Sequence, residues 1–324
     1  MEYTFLGNTK LKISKIVFGC WAIGGGLEWG EKLPDKIYEA AVKTAVKGGV
    51  NLFDTAAGYG SGHSEALIGS ILSGEKSMMI ASKNSAKNLL PHNGLNTLEE
   101  SLKRLKRDFI DIYFLHWPHF EVPVETNMEV LLKLKEQGLI KHIGLSNVTA
   151  EHLTRALKIG QVDVIQPCFS LFWRSAQSEL IPFCLENGIG VITYSSIAQG
   201  LLTGKFTTDY KFDEGDQRPD KVPLFKGKTY LKAIEAAGKI GIMGKKYEKT
   251  TSQTAINWVA NYPGVTAAIV GAKTPEQVKE NLPAVGWKMN KEDFARIGEI
   301  GMDVARDVMD WDSMYEKNDI RIKL

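Results

Sequence analysis

The stretch VNLFDTAAGYGSGHSEALIG, residues 50–69, indicates the fold class because it joins a short apolar run to a helical segment through a polar, glycine-rich turn. The apolar run has the length of a buried strand, and Asp54 and Tyr59 follow it. Such a strand–turn–helix unit is typical of folds in which helices cover a parallel sheet.

The same unit recurs along the chain. Apolar runs alternate with amphipathic helical segments, and the predicted strands lie at residues 15–21, 50–56, 77–83, 111–117, 141–147, 162–169, 190–196 and 266–272. Strands this uniformly apolar are typical of a sheet buried on both faces. Their strict strand-then-helix order favours a closed (β/α)8 TIM barrel over an open doubly wound sheet. We predict a single domain over residues 1–324.

Three segments lie outside this repeat. Residues 2–13, EYTFLGNTKLKI, have a Gly-Asn-Thr turn between two extended runs and predict an N-terminal β-hairpin that plugs the bottom of the barrel. Residues 197–228 are a long polar stretch, predicted to be a functional loop. An extra helix is predicted at residues 229–247, and the tail after about residue 304 carries Trp311 and Tyr315.

The composition excludes several classes of partner. The 324 residues carry a formal net charge of +2, too close to neutral for nucleic acid or an anionic membrane to be the main partner. No apolar run approaches the ~20 residues of a membrane span. Cys20, Cys168 and Cys184 are odd in number and far apart, so we predict no disulfide framework and a cytoplasmic location. His116 and His119 lack a third suitably spaced ligand, so we predict no metal site.

Polar residues cluster at the carboxyl ends of the predicted strands, where barrels of this kind carry their active sites. In chain order these residues are Asp54, Tyr59, Lys83, His116, Trp117, Ser146, Asn147, Gln166, Tyr194, Ser195, Gly271, Lys273 and Thr274. Each has a structural explanation when it is taken alone, such as a helix cap or a solvated strand end. Their shared position favours one functional site.

Asp54, Tyr59, Lys83 and His116 together suit proton transfer to a carbonyl oxygen. A free tyrosine has a pKa of about 10 and is a weak acid at neutral pH. A nearby ammonium lowers that pKa, and a carboxylate holds the ammonium in place. A neutral histidine can donate a hydrogen bond that orients the carbonyl.

A resemblance to a known family adds to this interpretation. The motifs FDTAAGYGSGHSE, IASK, YFLHWP, GLSN, IQ, YSSIAQGLLTGK and VGAKTPEQVKENL resemble, in order, the signatures of the aldo-keto reductase superfamily. The resemblance implies an oxidoreductase that prefers NADP(H), with NAD possible, and reduces aldehydes and ketones or oxidises the matching alcohols or sugars. It implies that Tyr59 is the general acid/base. Lys83 would lower its pKa, Asp54 would pair with Lys83, and His116 would orient the substrate carbonyl.

The resemblance also implies which residues bind the cofactor and the substrate. Those expected at the nicotinamide are Ser146, Asn147, Gln166, Tyr194 and Ser195, with the Tyr194 ring stacked on it. Those expected near the pyrophosphate are Gly200, Leu202 and Lys205. Those expected at the adenosine end are Gly271, Lys273, Thr274, Gln277, Glu280 and Asn281. Those expected to line the substrate pocket are Trp21 and Trp117.

Two positions depart from the family pattern. Ser196 stands where the motif after the seventh strand usually has proline, which predicts a less rigid loop. Gln277 stands where many members have an arginine that would clamp the 2′-phosphate of NADP. Lys273 and Thr274 are then expected to be the main residues that recognise this phosphate.

A second functional class resembles this one in sequence: a regulatory module that senses nicotinamide, as the channel-associated members of the superfamily do. A lyase or isomerase on the same barrel is disfavoured by the nicotinamide residues. We assign residues 197–228 to cofactor retention and the tail to substrate selection, unless the tail only packs on the outer helices. The sequence leaves the oligomeric state open.

Overall fold

The structure, a computed structural model, describes residues 1–25 and 32–308. Its strands are β1 (Tyr3–Phe5), β2 (Lys12–Ser14), β3 (Ile16–Gly19), β4 (Leu52–Asp54), β5 (Met79–Asn84), β6 (Ile110–Leu115), β7 (Ile140–Ser146), β8 (Val164–Gln166), β9 (Gly190–Thr193) and β10 (Ala267–Gly271). Its helices are α1 (Asp35–Lys47), α2 (His63–Leu72), α3 (Gly94–Leu105), α4 (Val124–Glu136), α5 (Ala150–Leu157), α6 (Leu180–Glu186), α7 (Arg218–Lys221), α8 (Gly227–Gly244), α9 (Thr251–Ala260), α10 (Pro275–Asn281) and α11 (Lys291–Ala305).

Strands β3 to β10 form a closed parallel barrel. Each strand from β3 to β9 pairs with the next one along the chain, and β10 pairs with both β9 and β3 to complete the ring. Each barrel strand overlaps its predicted range, and the (β/α)8 prediction is confirmed. Several predicted ranges extend past the observed strands because the chain leaves the sheet to build the loops at the carboxyl ends.

Side chains that alternate along the strands produce two apolar cores. The barrel interior is filled by inward-facing residues, namely Val17, Leu52, Ala81, Ile112, Phe114, Val164, Ile192, Ala267 and Ile269. Their neighbours in sequence, such as Phe53, Tyr113 and Ile165, face outward and belong to the core between the barrel and its helices. The interior is therefore packed, and a ligand can reach the barrel only at its ends.

The N-terminal hairpin closes the bottom of the barrel, as predicted. Strands β1 and β2 pair antiparallel, and Leu6 and Ile13 are fully buried as part of the interior core. The backbone N–H of Asn8 donates to the carbonyl of Gly188 at 2.7 Å, just before β9 begins. A Cβ on Gly7 would lie 2.5 Å from that carbonyl oxygen, so the turn needs glycine there.

Residues 197–228 are more ordered than the prediction of a polar loop. They contain two 3-10 turns and the one-turn helix α7. The rings of Phe206, Phe212 and Phe225 surround the guanidinium carbon of Arg218 at 5.4 to 5.8 Å. Such a cluster has no regular spacing in sequence, so a search for periodicity does not find it.

Additional helices follow the seventh strand–helix unit and the last one. Helix α8 overlaps the predicted extra helix and packs against α9 and α11. These elements confirm the predicted C-terminal additions, whereas Trp311 and Tyr315 of the tail lie outside the described residues. Among the helices of the described chain, none combines the length and the apolar character that crossing a membrane requires.

The hairpin gives a test of the barrel plug. We expect Leu6→Ala to lower the free energy of unfolding by about 2–5 kcal/mol, because it leaves a cavity in a packed interior. Chemical denaturation of the variant and the wild type measures the difference. The matched control is Phe5→Ala at a side chain that is 58% exposed, and it should cost no more than about 0.5 kcal/mol. Equal losses for the two variants would contradict a plug built on Leu6.

Candidate active site

A cavity of about 730 Å³ opens at the carboxyl ends of the barrel strands. It is lined by nearly all the residues that the sequence assigned to a site. The assigned residues that line it are Trp21, Asp54, Tyr59, His116, Trp117, Ser146, Asn147, Gln166, Tyr194, Ser195, Gly200, Lys205, Gly271, Lys273, Gln277, Glu280 and Asn281. Lys83, Leu202 and Thr274 lie outside its lining.

The alternation of side chains explains why polar residues meet there. In five of the strands, the position two residues after an inward-facing apolar residue also faces inward, at the end of the barrel where the cavity opens. The pairs are Leu52 and Asp54, Ala81 and Lys83, Phe114 and His116, Val164 and Gln166, and Ile192 and Tyr194. The apolar interior of the barrel therefore lies directly below the site and supports it.

Lys83 lies beneath the cavity and links its charged groups. Its side chain is fully buried, and Nζ donates to Asp54 Oδ2 at 2.7 Å and to the backbone carbonyl of Thr55 at 2.7 Å. The same Nζ lies 3.3 Å from the Tyr59 hydroxyl, to which it donates. The other carboxylate oxygen of Asp54 accepts from Gln166 Nε2 at 2.7 Å.

The pKa directions reflect this burial. Burial raises the pKa of Asp54, while the charge of Lys83 and the hydrogen bonds from Lys83 and Gln166 lower it. Burial, followed by the negative charge of Asp54, raises the pKa of Tyr59 well above its ordinary value. The Tyr59 hydroxyl therefore keeps its proton at neutral pH. The expectation that Lys83 lowers the Tyr59 pKa stays a prediction about the contribution of that one ammonium.

A tight turn fixes the position of Tyr59. Gly60 has φ of +56°, and a Cβ there would lie 1.8 Å from the carbonyl oxygen of Gly24, so only glycine fits. The Tyr59 ring stacks on Trp21 with centroids 6.1 Å apart, and His116 meets it nearly edge-on at 5.7 Å. Trp21, Tyr59, His116 and Trp117 therefore form one aromatic wall of the cavity.

A hydrogen-bonded group of side chains lies opposite this wall. Asn147 Nδ2 donates to the carbonyl of His116 at 2.9 Å and to Ser146 Oγ at 3.0 Å, while Asn147 Oδ1 accepts from the Tyr194 hydroxyl at 2.6 Å. Ser146 Oγ donates to the backbone carbonyl of Gln166 at 2.9 Å. These contacts bring together the residues expected at the nicotinamide and fix the orientation of the Tyr194 ring.

Ser196 links the loop after β9 to the neighbouring strand. The side chain is buried, and its hydroxyl donates to the carbonyl of Ile269 on β10 at 3.0 Å. That its replacement of proline makes the loop less rigid stays a prediction. Ser195, which lines the cavity, has a left-handed φ of 56°.

The far end of the cavity is shaped by the N-terminus of α10. Thr274 caps that helix, since its hydroxyl accepts from the N–H of Gln277 at 3.3 Å. Gln277 Oε1 in turn accepts from the backbone N–H of Lys273 at 2.7 Å. The Glu280 carboxylate accepts from Thr250 Oγ1 at 2.5 Å. Thr274 is thus a helix cap, and Leu202 is a core residue with no exposed surface.

Arg218 is a cavity residue that the sequence argument missed. Its Nη1 donates to the backbone carbonyl of Gln199 at 2.8 Å, and its Nε donates to Asp216 Oδ1 at 2.9 Å. Burial, and after it the charge of Arg218, lowers the pKa of Lys205 and of Lys273. The signal that could have indicated it is an Asp-x-Arg pair followed by proline at a helix start, DQRPD.

The lining residues fit a nicotinamide dinucleotide. Amide and hydroxyl groups beside the Tyr194 ring match a carboxamide on a flat heterocycle, and Lys205, Lys273 and Arg218 at the other end match phosphates. Gly19 keeps the cavity floor open, because a Cβ there would lie 2.9 Å from the Ile269 side chain. Within the described residues, no group of three or more His, Cys, Asp or Glu side chains could hold a metal ion.

An oxidoreductase that uses NADH or NADPH is the class of protein that this barrel and cavity define. The chain belongs to the aldo-keto reductase family, because the model described as "Aldo/keto reductase family" matches residues 15–301. This confirms the family to which the sequence motifs pointed.

Relatives and solved structures agree with this assignment. Aldo-keto reductase YhdN of Bacillus subtilis (strain 168) is 34% identical over 312 residues, covering 93% of each chain. NADH-specific methylglyoxal reductase of Escherichia coli (strain K12) is 34% identical over 324 residues, covering 93% of this chain and 98% of that one. The glycerol dehydrogenase AKR11B4 from Gluconobacter oxydans superposes with a TM-score of 0.84 at 29% identity, covering 95% and 96%. The protein is an NAD(P)H-dependent oxidoreductase that acts on carbonyl substrates.

Proposed function

We propose that the protein interconverts small aldehydes or ketones and the matching alcohols or sugars, with Tyr59 as the general acid/base. The observation that carries this proposal is the Tyr59 hydroxyl, which lies at the cavity wall 3.3 Å from the buried Lys83 ammonium. The chain acts as a single domain over residues 1–324. Its buried, unpaired cysteines suit a reducing, cytoplasmic location.

The residues around Tyr59 have separate roles in proton transfer. A nicotinamide held by the residues opposite Tyr59 would supply the hydride that the carbonyl carbon takes up in reduction. Tyr59 gives its proton to the carbonyl oxygen and becomes a tyrosinate, which the ammonium of Lys83 stabilises. Asp54 balances the charge of Lys83 in a site that water does not reach. His116 orients the carbonyl oxygen toward Tyr59, and in oxidation each proton moves the opposite way.

The substrate class follows from the wall of the cavity. Trp21 and Trp117 offer apolar faces on either side of Tyr59 and His116, which suits a short carbonyl compound with few charges. The names of the Escherichia coli and Gluconobacter relatives, a methylglyoxal reductase and a glycerol dehydrogenase, favour small oxygen-rich substrates. We therefore place short aldehydes, ketones and polyols first among test substrates.

The cofactor preference rests on charge at the far end of the cavity. Lys205, Lys273 and Arg218 line this end, and carboxylates of Asp213 and Glu280 lie among them. Because the opposing charges nearly balance, a single ammonium can determine whether the site prefers NADP(H), which carries a 2′-phosphate, or NAD(H), which carries a 2′-hydroxyl. We assign that role to Lys273, which makes NADP(H) the preferred cofactor, in contrast to the NADH-specific relative.

Residues 197–228 retain the cofactor in this proposal. Arg218 anchors the segment to the cavity through the carbonyl of Gln199, and the aromatic cluster around its guanidinium holds the segment over the far end. The alternative of a nicotinamide sensor differs kinetically from an efficient catalyst. A sensor would oxidise bound NADPH rapidly in a single turnover with a test aldehyde and then release product slowly, whereas we expect repeated turnover at a comparable rate.

Replacement of the proton donor tests the mechanism. Tyr59→Phe keeps the ring and removes the transferable proton, so we expect turnover with short aldehydes to fall at least ~10²-fold. NADPH binding, followed by fluorescence quenching, should remain nearly unchanged. The matched control is Tyr210→Phe, which removes a hydroxyl from another cavity-lining tyrosine. Turnover of Tyr59→Phe within a few-fold of wild type would remove Tyr59 from this role.

The pKa direction of Tyr59 predicts opposite pH profiles for the two directions. Reduction needs the protonated phenol, and the raised pKa keeps it protonated. The kcat/KM for a carbonyl substrate should therefore stay level through neutral and mildly alkaline pH and fall only at higher pH. Oxidation needs the tyrosinate and should rise with pH over the same range. A fall in reduction centred near neutral pH, absent from Tyr59→Phe, would contradict the raised pKa.

A single lysine tests the cofactor preference. Lys273→Ala should weaken NADPH binding more than NADH binding, and high salt should shrink the difference because it screens the ammonium. Titration of cofactor fluorescence measures all four affinities. Lys279→Ala is the matched control, since this exposed lysine lies on α10, the helix that begins just after Lys273, and does not line the cavity. Equal weakening of both cofactors by Lys273→Ala would show that Lys273 does not recognise the 2′-phosphate.

A further inference from the structure

Gln166 contacts the proton-donor cluster directly. The residue ends β8, is buried, and lines the cavity. Its Nε2 lies 2.7 Å from Asp54 Oδ1. A carboxylate oxygen can only accept a hydrogen bond here, so the amide must present its N–H to Asp54 and turn its oxygen away. Within the described part of the chain, no donor is recorded for that oxygen.

We propose that Gln166 is a positioning residue for proton transfer: its amide N–H holds the Asp54 carboxylate, and through it the Lys83 ammonium, in line with the Tyr59 hydroxyl. This role rests on the proposed function of Tyr59 and adds to it. It is separate from any contact that Gln166 makes with a nicotinamide carboxamide.

The two oxygens of Asp54 show why the bond matters. Oδ2 accepts from Lys83 Nζ at 2.7 Å, and Oδ1 accepts from Gln166 at the same distance. Asp54 is withdrawn from water, and burial disfavours its ionised form. Without the amide N–H, the carboxylate loses one of the donors that stabilise its ionised form. Gln166 therefore helps to keep Asp54 ionised.

Gln166 influences the ionisation of Tyr59 through the charge of Asp54. The titratable groups that face Asp54 and Tyr59 in the described chain are Lys83 on β5, Cys20 after β3 and His116 after β6. The negative charge of Asp54 raises the pKa of Tyr59. The N–H of Gln166 offsets part of that negative charge, so without it Asp54, still paired with Lys83, acts more strongly on the phenol. The phenol then ionises at higher pH.

The test is the pH profile of the Gln166→Met variant. Methionine has a similar length but no N–H, so the negative charge of Asp54 is no longer partly offset. We expect the alkaline fall in kcat for carbonyl reduction to move to higher pH. Ser146→Ala is the matched control, because its hydroxyl contacts only the backbone carbonyl of Gln166 and Asn147. It should raise the KM for NADPH and leave the pH profile in place.

A double-variant cycle checks the route through Asp54. In an Asp54→Asn background the side chain at 54 no longer titrates, so adding Gln166→Met should cause no further movement of the alkaline fall. A further movement would mean that Gln166 acts by another path and would overturn the proposal. An alkaline fall that stays at the wild-type pH in Gln166→Met would also overturn it, whatever the change in kcat.

A measurement that needs neither cofactor nor turnover tests the same proposal. The tyrosinate absorbance of Tyr59 is the difference between each protein and its Tyr59→Phe counterpart, and it should appear at higher pH in Gln166→Met than in wild type. If Gln166→Met does not unfold cooperatively, Gln166→Asn replaces it, because the shorter amide cannot reach Asp54. If Tyr59→Phe itself turns over normally, the proposed function fails. If only the Gln166 variants match wild type, this inference alone fails.

Discussion

The closed barrel constrains where every functional side chain can lie. Inward-facing positions recur every second residue, so the residue two places after Leu52 or Ala81 must enter the barrel's open end. Eight parallel strands deliver such residues to one place from distant parts of the sequence. Because the barrel interior below them is packed with apolar side chains, these polar groups rest on a rigid layer from which water is excluded. Precise placement of Asp54 against Lys83 follows from strand register rather than from loop conformation.

The buried Lys83–Asp54 pair is stable only because each partner has further hydrogen bonds. Removing two charges from water costs several kcal/mol for each ion, and their attraction alone does not reliably offset that cost. Here Lys83 also donates to the Thr55 carbonyl, and Asp54 also accepts from Gln166. Such an arrangement is poor as a source of stability compared with apolar packing. It is understandable as a means of holding an ammonium next to a phenol in a low-dielectric site.

The sequence predicted the barrel, the hairpin and the proton-donor cluster because each follows from short-range pattern. Apolar runs locate strands, and strand ends locate Asp54, Lys83 and His116. The sequence did not predict Arg218 in the cavity, since its place depends on aromatic packing within a segment that has no period. It also did not predict that burial raises the Tyr59 pKa, because proximity to Lys83 is visible in a motif whereas the extent of burial is not. Tertiary packing decides both.

Strained backbone conformations also occur at the carboxyl ends of the barrel strands, where the cavity opens. Asn147, Ser195 and Gln199 are non-glycine residues with left-handed φ of 58°, 56° and 52°, and all three line the cavity. Such conformations cost of order 1 kcal/mol or more each and persist only where surrounding contacts enforce them. Asn147 is enforced by bonds to the His116 carbonyl, to Ser146 and from Tyr194. Gln199 is enforced by Arg218, which binds its carbonyl. Other left-handed residues of the described chain, such as Lys106 and Glu248, end helices away from the cavity, so strain is not confined to it. What distinguishes Asn147 and Gln199 is that side chains of the site itself hold them in place.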